Sequence, residues 1–143
     1  IGYCLNEMGR PEEARDAWLA LVCANRYQYD PDHHADLSEE VDDAEEDDAV
    51  QEHPSLTLDA QEEEPVAGLF VDPYAQCQPV AEDAEFLSET WFRIGEFHFD
   101  DYRDEHALDL AISAYNRILA NPEDRNYNLA LYKLAWAYYR ASR

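Results

Sequence analysis

One stretch of this sequence carries nearly all of its charge, and that stretch most restricts what the chain can fold into. Between Arg26 and Arg93 there is no lysine or arginine, while residues 27–92 contain 21 acidic residues. The other 77 residues hold the remaining 12 acidic and all 10 basic residues, a net charge of −2. We therefore expect nearly neutral flanks that can pack a core, joined by an acidic insert that buries little.

The overall charge also excludes classes of partner. A net charge of −23 argues against nucleic acid, whose phosphates must be neutralised by lysine and arginine. It argues equally against an anionic membrane surface, which attracts basic segments. No run of 18 apolar residues occurs, so we predict no direct membrane insertion. A length of 143 residues suits one domain rather than two.

The insert, residues 27–83, is predicted to be a long, largely irregular linker. Its densest part, residues 36–48, places like charges three and four positions apart, which disfavours a helix. Four prolines follow, at Pro54, Pro65, Pro73 and Pro79. Few apolar residues are available there to offset the cost of ordering the chain.

The first flank, residues 1–26, has the pattern of a helical hairpin. Ile1, Leu5 and Met8 have helical spacing, and Gly9 and Pro11 then interrupt the chain. A second apolar stripe follows at Ala14, Ala17, Trp18, Leu21 and Val22.

The second flank, residues 84–143, is predicted to hold three helices. The first places Trp91, Ile94, Gly95 and His98 on one face, and the second carries an apolar stripe from Leu108 to Leu119. The third runs from Tyr127 to Arg140 and has two apolar faces. They are Leu131, Leu134, Ala135 and Tyr138 on one side, and Tyr132, Trp136 and Tyr139 on the other. Two apolar faces predict burial of this helix from two directions.

These residues resemble the tetratricopeptide repeat, a helical hairpin with a period of about 34 residues. Gly2, Gly95 and Ala135 match the small residue of the first helix in each repeat. Ala14 and Ala111 match the small residue of the second helix, and Trp18 and Tyr115 match its aromatic position. The resemblance implies an all-α fold of stacked antiparallel helical hairpins, a fragment of an α-solenoid interrupted by the acidic insert.

In this reading residues 1–26 are an N-terminally truncated first hairpin, and residues 84–143 are a second hairpin plus the first helix of a third. The match holds fewer than the roughly three repeats that a stable stack needs, so we expect neighbouring repeats in a longer parent protein. The third helix further resembles repeats of bacterial, myxobacterial-type cell-envelope and motility proteins. The periplasmic side of a bacterial envelope and the cytoplasm both remain open as locations.

The resemblance implies a non-catalytic scaffold that binds a protein or peptide partner in a concave groove. Residues at groove-lining positions are Tyr3, Asn6, Glu7, Phe92, Glu96, Phe99, Tyr132, Trp136, Tyr139 and Arg140. Aromatic residues and arginine commonly anchor protein interfaces. The alternative is that these aromatic rings pack against adjacent repeats.

Metal binding is the second hypothesis for function. His33 and His34 lie among Asp30, Asp32 and Asp36, but their spacing fits no known calcium loop. We therefore predict no specific metal site and no cofactor. Loose screening of the insert by Ca²⁺ or Mg²⁺ would make the chain a cation-responsive acidic element of an envelope assembly.

No motif for catalysis is present. The four glycines are scattered rather than gathered in a phosphate-binding loop, and no serine or cysteine lies in a nucleophile motif. His98 and His106 are expected to be packing or turn residues. We therefore predict that the chain is not an enzyme and has no catalytic residues.

The insert and the cysteines suggest further expectations. The insert could steer basic partners, or fold back over the groove through residues 66–71.

Cys4 and Cys23 are expected to be small core residues. A disulfide between Cys23 and Cys77 would require an oxidising compartment.

Overall fold

The computed structural model describes residues 1–32 and 69–142, and within them the secondary structure is entirely helical. Five helices lie wholly within the described residues, in chain order: α1 Gly2–Glu7, α2 Pro11–Val22, α3 Phe86–Asp100, α4 Ala107–Leu119 and α5 Tyr127–Ala141. The predicted all-α class is thus confirmed for the described residues. None of these helices is long and apolar enough to cross a membrane.

The turn between α1 and α2 follows from two residues. Gly9 adopts a φ of 74°, a left-handed conformation that glycine reaches without steric cost. Pro11 occupies the first turn of α2, where its missing N–H removes no helical hydrogen bond. Glu12 and Glu13 follow in the same turn and are favoured by the helix dipole. The two helices therefore form the hairpin that the sequence predicts.

Each helix packs mainly on its neighbours in the chain. α1 contacts α2, α2 contacts α3, α3 contacts α4, and α4 contacts α5. These contacts enclose one core whose most deeply buried large side chains are Val22, Ile94 and Tyr115. Small residues, Ala14, Ala111 and Ala114, are also fully buried in it and allow the helices to approach closely.

Two glycines mark the closest helix approaches. A β-carbon added to Gly2 would lie 2.2 Å from Nε1 of Trp18, and one added to Gly95 would lie 2.4 Å from Cε1 of Tyr115. Both contacts join the first helix of a hairpin to the second. No larger side chain fits at either glycine without displacing a buried aromatic ring.

Part of the predicted insert packs against the helices. We call residues 70–80 the strap; it contains no helix or strand. Its Tyr74 is buried in the core, and Cys77 forms a disulfide with Cys23, whose Cα lies 4.4 Å away. The strap thereby joins the end of α2 to the surface of α3 and α4. Residues 33–68, which include the densest acidic run, lie outside the described residues.

Two expectations about burial need correction. Cys4 is exposed rather than part of the core, because α1 turns its Gly2 and Leu5 side toward α2. Helix α5 buries Ala130, Leu134 and Ala137 but not its other apolar residues. Neither predicted apolar face is therefore covered within the described part of the chain. On the first face only Leu134 is buried, and the residues of the second face are all exposed.

Candidate functional site

A cavity of about 580 Å³ lies where α1 and the start of α2 meet α3. Asn6 of α1 and Trp18 of α2 line one side, and Arg93, Glu96 and Phe97 of α3 line the other. The α3–α4 loop closes one end with Asp101, Tyr102 and Arg103. The cavity thus combines aromatic surface with charges of both signs, as a protein or peptide contact surface requires.

Ion pairs fix the charged residues at the loop end of this cavity. The Arg103 guanidinium lies 3.3 Å from Asp101 and 3.2 Å from Glu12 of α2. The Asp101 carboxylate also accepts the backbone N–H of Arg103 at 3.0 Å, and this hydrogen bond is the main cause of its lowered pKa. Asp101 is therefore ionised at neutral pH, and Arg103 stays oriented over the cavity.

Tyr3 contacts Arg93, one of the residues that line the cavity. Its hydroxyl donates to Oε1 of Glu89 at 2.9 Å, and the Arg93 guanidinium lies 5.2 Å from the centre of its ring. Arg93 also pairs with Glu89 one turn earlier in α3. The interaction with Tyr3, before that with Glu89, raises the pKa of Arg93. The ring of Tyr3 is nevertheless half exposed and available for contact.

Glu96 connects the cavity to the next two helices. Its Oε1 accepts the hydroxyl of Tyr115 in α4 at 2.6 Å, and its Oε2 pairs with Nζ of Lys133 in α5 at 2.7 Å. Burial, and then the hydrogen bond to Glu96, raise the pKa of Tyr115, so its hydroxyl keeps its proton. The Glu96 carboxylate of α3 therefore links this helix to both α4 and α5.

Phe99 lies under two cations of α5. Nζ of Lys133 is 4.9 Å and Cζ of Arg140 is 4.4 Å from the centre of its ring. Arg140 also donates to the carbonyl oxygen of Phe99 at 2.7 Å and lies 4.9 Å from the ring of Tyr102. Because Tyr102 lines the cavity, the surface continues from α1 across α3 to α5. We call this continuous surface the α1–α3–α5 face.

A separate aromatic patch lies on α5. Tyr132, Ala135, Trp136 and Tyr139 line a shallow pocket of about 370 Å³. The ring of Trp136 meets those of Tyr132 and Tyr139 edge to face, at centroid distances of 6.4 and 5.7 Å. Trp136 is 45% exposed although it is the largest side chain of the helix. Exposed aromatic clusters of this kind commonly mark interaction surfaces.

The structure distributes the predicted groove residues among these places. Asn6 and Glu96 line the cavity, Tyr3 lies beside Arg93, and Phe99 and Arg140 stack on each other. Tyr132, Trp136 and Tyr139 form the patch on α5. Phe92 lies elsewhere: it is only 7% exposed and packs 5.9 Å from the ring of Tyr115. Its role is therefore core packing, which was the alternative for these aromatics.

Sequence reasoning did not identify the contact between Tyr74 and His98. The Tyr74 hydroxyl lies 2.6 Å from Nε2 of His98, and its ring meets that of Trp91 at 5.4 Å. Burial, and then the positive charge of Arg15, lower the pKa of His98 to about 4. The available signal was an aromatic residue directly after a proline, Pro73, in an otherwise polar insert.

Metal ligands do not converge in the described part of the chain. Within residues 1–32 and 69–142 there is no group of three histidine, cysteine or carboxylate side chains placed to hold an ion. His33, His34 and Asp36 lie outside those residues. The hypothesis of a cation-responsive insert therefore stays a prediction.

Comparisons with known proteins leave the family open. No protein-family model, no curated protein and no solved structure matches this chain.

Proposed function

We propose that this chain is a non-catalytic interaction module, built of tetratricopeptide-like hairpins, that binds a protein or peptide partner along the α1–α3–α5 face. The observation that supports this most is the continuity of that face. Asn6, Glu96, Phe99 and Arg140 come from three different helices and form one surface of aromatic and charged groups. Such surfaces bury large area on binding and still offer polar contacts.

A repeated contact supports the hairpin assignment. The family pattern places a small residue in the first helix and an aromatic residue in the second. In this chain Gly2 faces Trp18 and Gly95 faces Tyr115, each at a distance that only glycine allows. Two hairpins far apart in sequence thus use the same residue types at the same helix crossing. This agreement favours a stacked, solenoid-like arrangement in the intact protein.

The exposed side of α5 supports the expectation of neighbouring repeats. Ala135 matches Gly2 and Gly95 in the pattern, yet it is exposed and lies between Tyr132 and Trp136. A following hairpin would place its own aromatic residue over Ala135 and cover this patch. In that arrangement the partner would contact the cavity and the Phe99–Arg140 pair rather than the patch.

The disulfide favours one of the two compartments left open. Cys23 and Cys77 are bonded, and such bonds persist in oxidising environments such as the bacterial periplasm. The proposed module would then act on the periplasmic side of an envelope assembly. Its partner would meet an excess of negative charge, so basic partners would be steered toward it.

Affinity capture with matched variants tests the proposal. The immobilised chain is compared with Tyr102→Ser/Arg103→Ser, which alters the cavity, and with Phe86→Ser, an exposed aromatic of α3 that does not line it. We expect proteins captured by the unaltered chain to be retained by Phe86→Ser and lost with the cavity variant. Identical capture by all three proteins, each with native circular dichroism, would exclude this face as the binding surface.

A further inference from the structure

The strap occupies a groove of its own, formed by α2, α3 and α4 and distinct from the α1–α3–α5 face. Tyr74 anchors it and is 2% exposed, with its ring against Trp91 and its hydroxyl on His98. Burial of a tyrosine with its hydroxyl paired is the usual way in which an aromatic residue anchors a peptide. The groove thus contains a ready site for a tyrosine side chain.

The helical part of the chain binds the strap largely through the strap's main chain. Arg26 donates to the carbonyl oxygen of Pro73 at 2.7 Å, and Arg117 donates to that of Tyr74. Asn25 donates to the carbonyl oxygen of Gln76 at 2.9 Å and accepts the backbone N–H of Gln78 at 2.8 Å. Main-chain contacts of this kind do not depend on the side chains of the bound peptide.

Besides Cys77, three side chains of the strap contact the helical part of the chain. Tyr74 fills its pocket, Asp72 accepts the hydroxyl of Ser113 in α4 at 2.8 Å, and the ring of Phe70 lies 5.6 Å from that of His106 at the start of α4. Val71 is 74% exposed, and Ala75 and Gln76 are exposed as well. Recognition therefore requires an acidic residue two positions before a tyrosine and tolerates variation at the neighbouring positions.

The strap does not fill the whole groove. A cavity of about 500 Å³ adjoins it at Cys77. Val22, Trp91 and Arg117 line this cavity, together with residues at the start of α3. A longer peptide could extend into this space. The groove therefore has more contact area available than the strap uses.

The disulfide keeps the strap at this site. Cys77 lies three residues after Tyr74 and is bonded to Cys23 at the end of α2. A bond so close to the anchor gives the strap a very high effective concentration over its pocket, which an outside peptide cannot match. Without the bond, the strap competes only as a segment tethered to the start of α3 by residues 81–85, with an effective concentration on the order of millimolar.

From these contacts we infer that the α2–α3–α4 groove is a second peptide-binding site, selective for an extended peptide with an acidic residue two positions before a tyrosine. The strap is its internal occupant, and the Cys23–Cys77 disulfide closes the site. A dithiol reductant opens it: two electrons and two protons pass to the cystine, giving two cysteine thiols and the oxidised cyclic reductant. This inference does not rest on the proposed function of the α1–α3–α5 face.

A labelled peptide of residues 70–80, carrying Cys77→Ser, tests the inference by fluorescence anisotropy. The receiving protein is Tyr74→Ala with Cys23→Ser and Cys77→Ser, in which the pocket is vacant and the bond is absent. We expect saturable binding to this protein and none to the oxidised unaltered chain. Replacing the tyrosine of the peptide by alanine should weaken binding by about tenfold or more.

The matched controls decide the remaining outcomes. Asp72→Asn in the peptide should weaken binding, whereas Val71→Ser, at an exposed position, should leave it unchanged. If the vacated protein loses its helical circular dichroism, the unaltered chain in reductant is titrated with millimolar peptide instead. Absence of saturable binding in whichever of these proteins is folded, or equal binding to the oxidised chain, would overturn the inference.

Discussion

The hydroxyl of Tyr74 lies 2.6 Å from Nε2 of His98, and both side chains are buried. The contact joins the strap to the last turn of α3 across 24 residues of sequence. A buried imidazole in this position is neutral, because burial and the nearby charge of Arg15 oppose its protonation. Asp101 and Asp104 act in the opposite direction but more weakly. The stability of the strap is thereby linked to pH.

The first prediction concerns this pH dependence. The pKa of His98 is about 4 in the folded chain against 6.5 in the unfolded chain. As the pH falls, the unfolded state therefore binds a proton at a higher pH than the folded state does. Stability is then complete above pH 6.5 and falls as the pH is lowered toward 4. Between pH 7 and pH 5 we expect a loss of about 2 kcal/mol in the free energy of unfolding from this residue.

Urea unfolding at several pH values checks this expectation. His98→Phe should flatten the profile between pH 7 and pH 5, although it loses the hydrogen bond to Tyr74. Phe86→Leu, a change at an exposed residue of α3 that does not titrate, should leave the slope unchanged. A slope that persists in His98→Phe would assign the effect to other groups.

The second prediction concerns the approach of α3 to α4. In Gly95→Ala the new β-carbon would lie 2.4 Å from Cε1 of Tyr115, whose ring is fully buried and cannot move aside. Overpacking of this kind costs about 1–3 kcal/mol, partly offset by the better helix propensity of alanine, about 1 kcal/mol. We expect a net destabilisation of about 1 kcal/mol in thermal or urea unfolding.

A double-mutant cycle isolates the cause. In a Tyr115→Ala background the obstructing ring is absent, so Gly95→Ala should become neutral or stabilising. If Gly95→Ala destabilises both backgrounds equally, the close approach is not the reason for glycine at this position.

The helices were predictable because their signals are local. Gly9 and Pro11 mark one turn and Asn121 and Pro122 another, and apolar residues recur with helical spacing between them. The assignment of faces was less predictable. Phe92 and Trp91 are adjacent aromatic residues separated by about 100° around the helix, and both proved to be buried. Sequence alone did not reveal that Phe92 would face Tyr115 rather than a groove.

The strap was not predictable for a different reason. Tyr74 has no periodic apolar neighbours, and its burial depends on a pocket formed by Trp91 and His98, which are distant in sequence. The expectation that residues 66–71 fold back over the groove stays a prediction, since residues 66–68 lie outside the described residues. Of the other three, Leu69 and Val71 are exposed, whereas the ring of Phe70 lies 5.6 Å from that of His106. Non-local contacts of this kind leave no local pattern.

The third prediction concerns the carboxylate that joins three helices. Tyr115→Phe removes the hydroxyl that donates to Glu96 at 2.6 Å, a hydrogen bond to a charged acceptor. We expect a loss of about 2 kcal/mol in the free energy of unfolding. Tyr102→Phe, a matched change at an exposed tyrosine, should alter stability by less than about 0.5 kcal/mol.

The same network should show coupling. Because Tyr115 and Lys133 both contact Glu96, the effects of Tyr115→Phe and Glu96→Gln should not add. We expect the double variant to be at least about 0.5 kcal/mol more stable than the sum predicts. Additive effects would mean that the hydroxyl and the carboxylate act independently.

The last prediction concerns the Cys23–Cys77 disulfide, which joins residues 54 apart in sequence. Closing a loop of that length reduces the entropy of the unfolded chain by the equivalent of about 4 kcal/mol at 25 °C. Replacing both cysteines with alanine should therefore lower the free energy of unfolding by about 2–4 kcal/mol, measured in urea without reductant. Cys4→Ser is the control, since Cys4 is exposed and free, and it should change stability by less than about 0.5 kcal/mol. Adding a dithiol reductant should destabilise the unaltered chain and Cys4→Ser alike and leave the double alanine variant unaffected. A reductant effect on the double variant, or none on the unaltered chain, would contradict the disulfide as the source of this stability.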